Sequence, residues 1–143
     1  MEALGRTINP VALADGAYVS LRDVGGVAFS CYLAAAAGDT YTLVEAKDAA
    51  GTGAQNLATI TRYHTSTGDG TDGWTLHTQT AAATVVTAAA ATENAMVVEV
   101  DGTELSDTYD YVKLTSTGAG TVHAIARDLV VQRKPGNLPA LGV

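Results

Sequence analysis

Residues 27–33 read VAFSCYL, and their alternation decides the fold. Val27, Phe29, Cys31 and Leu33 fall on one side of an extended chain, with Ala28, Ser30 and Tyr32 on the other. A helix would scatter these side chains around its circumference, whereas a strand with one face in a core sorts them cleanly. The pattern recurs on both sides of this stretch. Residues 17–23 place Val19 and Leu21 on one face, and residues 96–100 turn Met96, Val98 and Val100 inward. Further strands are expected over 41–47, 57–64, 74–79, 111–116 and 121–131, with a weaker one over 84–87.

Turn chemistry separates these runs: Gly25-Gly26, Gly38-Asp39, Gly51-Thr52-Gly53, Gly68-Asp69-Gly70, Asp101-Gly102 and Gly118-Ala119-Gly120. Glycine supplies the backbone conformations that tight hairpins demand. The expected fold is all-β: a single antiparallel sandwich or jelly roll of about eight or nine short strands. Helix is scarce. Residues 81–95 are alanine-rich, but Thr84, Val85, Val86 and Thr87 favour strand, leaving one short helix near 88–94 and a single turn at 103–106. TSTGDGT at 65–71 is echoed by TSTGAGT at 115–121. Duplication would account for this, but the flanking strands do not match, which favours one hairpin chemistry used twice.

Three zones follow. Residues 17–131 form the sandwich. Residues 1–16 lack periodicity and contain Asn9-Pro10, so they read as an extended arm. Residues 132–143, QRKPGNLPALGV, read as an extended tail. Arm and tail both carry apolar side chains, more than a disordered terminus usually has. Leu4, Ile8, Pro10, Val11 and Leu13 in the arm, with Arg133, Pro135, Leu138, Pro139 and Leu141 in the tail, are therefore the candidate partner-binding residues. The competing reading is that both termini fold back over their own sandwich.

The chain has 143 residues, which suits one domain, and a formal net charge of −7 with eight Lys and Arg. So few basic residues argue against a nucleic-acid partner and against an anionic membrane surface. Aromatics make up 6% of the chain, so its core is built mostly from small side chains and an isolated monomer should be modestly stable. Cys31 is the single cysteine, which excludes an intrachain disulfide. No apolar run is long enough for a membrane helix, and the first fifteen residues lack the pattern of a secretory signal.

Motifs for chemistry are weak. His64 and His77 could face each other across a hairpin centred near Gly70-Thr71, but two histidines do not specify a zinc site. GDGTDG at 68–73 offers only Asp69 and Asp72 as carboxylates, short of a calcium loop. Cys31 lies within an apolar strand face and reads as a small buried hydrophobe. Glu45, Glu93, Glu99 and Glu104 would pair only through the fold. No nucleophile elbow or phosphate loop is present. No cofactor, metal or catalytic residue is expected, and the chain reads as a non-enzyme.

YTLVEAKDAAGTGAQNL at 41–57 resembles a recurring segment of the small capsid decoration, or cement, proteins of tailed bacteriophages. Residues 95–112, with Val-Val-Glu-Val-Asp, then Glu-Leu and a later Tyr-Val, look like that family's second half. The resemblance covers roughly residues 17–131 and leaves out arm and tail. It implies a structural virion protein on the capsid exterior, partnered by the major capsid protein, commonly a homotrimer, clamping neighbouring capsomers. The alternative is a tail or surface module recognising a host glycan or receptor through aromatics such as Tyr63, Trp74 and Tyr109. A third is a metal-dependent hydrolase using His64, His77 and Asp72.

Overall fold

The computed structural model describes residues 3–12 and 16–141. Among these, eleven strands run in chain order: β1 (Ile8–Ala12), β2 (Val19–Ser20), β3 (Val24–Tyr32), β4 (Thr40–Ala46), β5 (Gln55–Asn56), β6 (Ile60–Ser66), β7 (Thr75–Ala82), β8 (Thr84–Val86), β9 (Ala95–Asp101), β10 (Tyr111–Ser116) and β11 (Thr121–Leu129). No α-helix occurs among the described residues. The strands form two antiparallel sheets packed against each other, a β-sandwich.

One sheet has the order β1-β11-β3-β9-β6-β7 and the other β2-β10-β4-β5, with β8 also pairing β4. The pairs are nested. β3 binds β11, β4 binds β10, and β6 binds β9, so the chain is doubled over upon itself. The free edge of β4 is shared: Thr40–Thr42 take β8, while Val44 and Glu45 take β5.

The core lies between the sheets. Val27, Phe29 and Cys31 of β3, Met96, Val98 and Val100 of β9, and Val122, Ala124 and Ala126 of β11 face Tyr41 and Leu43 of β4 and Val112 and Leu114 of β10. A second, small cluster of Tyr18, Ala46 and Tyr111 sits apart from it. Lys113 is 4.6 Å from the Tyr18 ring centroid and Arg22 is 5.2 Å from that of Tyr111, so aliphatic stems and cation–π contacts cover these rings.

All nine expected strands form, and two more appear. β5 is a two-residue segment with both side chains exposed. β1 lies within the expected arm. Two local expectations change. In place of a helix near 88–94 there is one 3₁₀ turn, Ala91–Glu93, because β4 captures Thr84–Val86 as an edge strand. The turn expected at 103–106 is a 3₁₀ turn over Gly102–Glu104, closed by a reciprocal cap between Asp101 and Glu104. β11 stops at Leu129 rather than at 131 because Leu129 pairs with Val24, where β3 begins; one residue earlier Asp128 takes a left-handed φ of 55°.

Candidate functional site

The termini are built onto their own domain. Ile8 to Ala12 pair with Arg127 to His123 of β11, so β1 covers an edge that would otherwise leave main-chain groups unpaired. Val11 packs against the core. Asn9 is buried and its Nδ2 donates to the Pro139 carbonyl at 3.3 Å, tying arm to tail. Leu141 is 4% exposed within the core, and its carbonyl accepts the Ser20 N–H at 2.7 Å. Gly5, at φ +82°, passes so close to the tail that a Cβ there would lie 2.3 Å from the Arg133 carbonyl oxygen. The Arg133 N–H in turn donates to the Gly5 carbonyl at 2.7 Å.

The described parts of arm and tail follow the competing reading, in which both termini fold back over their own sandwich. Burial of Leu141, packing of Val11 and sheet pairing of Ile8 are gained within the chain. Leu138 is half-buried beside Asn9 and Pro139. Leu4, Pro10, Arg133, Pro135 and Pro139 remain exposed, and Leu13 lies outside the described residues.

Where arm meets tail, a distinct surface is left. Val130 and Val131 are 70% and 51% exposed, and Leu4 is 38% exposed. Next in the chain, Gln132, Arg133 and Lys134 line, with Arg6 of the arm, a shallow cavity of about 250 Å³. Three of the chain's eight basic residues thus gather at one spot on an acidic protein. None of the three has an ion-pair partner among the described residues. Val130, Val131, Arg6 and Lys134 were not among the expected binding residues. The apolar-then-basic run VVQRK was the available signal, hidden because 130 and 131 continue the strand alternation.

Between β4 and β5, residues 48–53 form a well-built turn. Asp48 Oδ1 accepts the N–H groups of Ala50 and Thr52, each at 3.0 Å, and the Thr52 hydroxyl, followed by these N–H groups, holds its carboxyl below the usual range. Gly51 and Gly53 take φ +87° and +68°, and the Tyr109 hydroxyl donates to the Gly53 carbonyl at 2.9 Å. Behind the turn, buried Glu45 accepts from Gln55 Nε2 at 2.6 Å and from the Ser106 N–H at 2.9 Å.

The histidines do not converge. Register pairs Tyr63 with His77 and His64 with Leu76, so His64 and His77 lie on opposite faces of the hairpin. His77 stacks on Tyr63 with centroids 4.8 Å apart and its Nε2 lies 2.8 Å from Thr65 Oγ1. No group of three or more His, Cys, Asp or Glu among the described residues is placed to hold a metal ion. Asp69 and Asp72 are engaged within their own loop by Thr67 and Thr71. Tyr63, Trp74 and Tyr109, the aromatics named for the alternative reading, are held separately: Tyr63 stacks on His77, Tyr109 bonds Gly53, and Trp74 is 53% exposed on the β7 side.

No family model, no curated protein and no solved structure matches the chain.

Proposed function

We propose that this chain is a structural virion protein that binds the outside of a phage capsid, as a homotrimer, and holds neighbouring capsomers together. The observation that carries the reading is the surface where arm and tail meet. Exposed Val130 and Val131 come just before Arg133 and Lys134 in the chain, and those two share a shallow cavity with Arg6 on a chain whose net charge is −7. Exposed apolar side chains next to cations that have no ion-pair partner among the described residues suit a protein partner with acidic rim groups. The resemblance of residues 41–57 and 95–112 to the decoration family supplies the capsid as that partner. Binding at many equivalent positions on a shell would add avidity to a modest single contact. The function calls for no catalytic step.

Deleting residues 1–16 does not test this, because removing β1 would strip an edge from the sheet. The test is the double variant Arg133→Glu with Lys134→Glu, both exposed. Wild-type protein should co-sediment to saturation with undecorated shells of the phage that carries the gene. The double variant, with unchanged circular dichroism and melting, should lose about tenfold or more in affinity. Equal occupancy by wild type and variant would overturn the placement of the contact, and failure of the wild type to bind shells would overturn the capsid reading itself.

A further inference from the structure

β6 and β9 are hydrogen-bonded neighbours only at one end, where His64, Thr65 and Ser66 pair with Val97, Met96 and Ala95. Beyond that the two strands part. β6 stays with β7 through an irregularity between Ile60 and Arg62, and β9 stays with β3 as far as Asp101. A bulge bends and twists its strand, which accounts for the parting. The space between is a cleft of about 370 Å³, lined among others by Ile60, Arg62, Val97, Glu99, Asp101 and Glu104. Each strand here has a strand partner on one side only, so two main-chain edges face the cleft.

We propose that this cleft is a docking slot for a basic side chain presented on an extended segment of a partner protein chain. Main-chain edges next to a parted pair of strands are the substrate for strand addition, in which an extended segment satisfies them and adjoining pockets select its side chains. The pocket here selects for positive charge. Three carboxylates line it against the single cation Arg62. The rim already takes one guanidinium from the side: Arg127 of β11 reaches Asp101 Oδ1 at 2.5 Å and lies 3.9 Å from Glu99. Glu99 and Asp101 keep 63% and 55% of their side-chain surface exposed, leaving acceptor positions for a second cation. Ile60 gives the slot an apolar floor against which a long aliphatic stem can lie. The slot is separate from the arm–tail surface and does not rest on the capsid reading.

The test is an NMR titration of the isotope-labelled full chain with a ten-residue peptide of alternating arginine and threonine. Amide shifts should concentrate at Thr61, Arg62, Glu99 and Asp101, and a peptide with glutamate in place of arginine should cause none. Glu99→Lys should weaken binding about tenfold, while Asp69→Lys, the same charge change in the loop at the far end of β6, should leave it within about twofold. Should Glu99→Lys fail to fold, Glu99→Gln gives a smaller loss in the same direction. Equal weakening by the two reversals would show non-specific charge attraction and overturn the slot. Equally tight binding of free arginine would show that no extended segment is recognised, and shifts elsewhere on the surface would place the contact away from the cleft. Either result overturns the proposal.

Discussion

Two loops of this protein have nearly the same sequence and are held in different ways. TSTGDGT at 65–71 begins in the last two residues of β6 and leads out of it, and TSTGAGT at 115–121 joins β10 to β11. In both, the second-position serine accepts an N–H two residues on: Gly68 to Ser66 at 3.1 Å, Gly118 to Ser116 at 3.2 Å. In both, the third-position threonine gives N–H and O–H to a carboxylate. For Thr67 that carboxylate is Asp72, five residues away and exposed. For Thr117 it is Asp39, which is 6% exposed and 78 residues away. Asp39 also accepts from Ser116 Oγ, from the Gly118 N–H at 2.8 Å and from the Thr40 N–H at 2.7 Å. Its own N–H donates to Thr87 Oγ1 at 2.9 Å. One loop is solvated and closes on itself, whereas the other fastens the start of β4, the end of β8 and the β10–β11 turn together. Identical turn chemistry therefore carries different structural weight, according to where its carboxylate comes from.

Removing the two carboxylates should separate the loops most. Asp39→Ala leaves the buried Ser116 hydroxyl and the part-buried N–H groups of Thr40, Thr117 and Gly118 without the acceptor that joins them, the first at the greatest cost. The expected loss is about 3 kcal/mol, or roughly 10 °C in Tm. Asp72→Ala exposes its donors to water instead and should stay within about 0.5 kcal/mol. Urea denaturation of both variants checks this, and losses of equal size would break the comparison.

The corresponding glycines should differ next. A Cβ at Gly120 would sit 2.7 Å from the Tyr41 hydroxyl and 2.8 Å from Asp39 Oδ2, among side chains with no room to move. Gly120→Ala should cost about 2 kcal/mol through overpacking. Gly70 has nothing within 4 Å of a Cβ, but its φ of +79° disfavours any other residue. Gly70→Ala should cost about 1 kcal/mol, from backbone strain alone. Thermal melts of the pair measure the difference, and a larger loss at Gly70 would sink the crowding argument.

The same contrast explains what was legible in the sequence. β3 and β9 were readable because one face is in the core and alternation follows directly from that. β5 was not, since Gln55 and Asn56 are both exposed and carry no apolar signal. β1 reads in the sequence only as an extended arm, because residues 1–16 lack alternation and Asn9-Pro10 disfavours helix without announcing a sheet partner; proline is tolerated there because β1 is an edge strand, where one side of the main chain has no partner. The arm and tail residues were correctly singled out as apolar, but nothing in Leu141 or Val11 tells whether the surface they cover is the chain's own. The Asp39 clamp was unreadable for the same reason as the acidic cleft of Glu99, Asp101 and Glu104: both are assembled by pairings between segments far apart in sequence.

The smallest effect is the pH dependence, and it sharpens the comparison by sign as well as size. Burial pushes the Asp39 carboxyl up, but hydrogen bonds from Ser116, Gly118, Thr40 and Thr117 outweigh it and hold it below the usual carboxylate range. A carboxyl lower in the folded than in the unfolded chain adds stability that is fully present above the unfolded value, about 3.9. That stability is lost as pH falls through the folded value. Asp39→Asn removes it, so the gap between wild type and variant should narrow as pH falls from 6 to 2.5. Asp69 is drawn to about 2 by the Thr67 and Thr71 hydroxyls and the Thr71 N–H, so its contribution has the same sign. It is fully exposed, however, and solvent screens it. Asp69→Asn should therefore track the wild-type acid limb closely while Asp39→Asn departs from it, in urea midpoints read across that range. If both variants track the wild type, the buried clamp binds its carboxylate no more tightly than the solvated loop does, and the two loops differ in geometry alone.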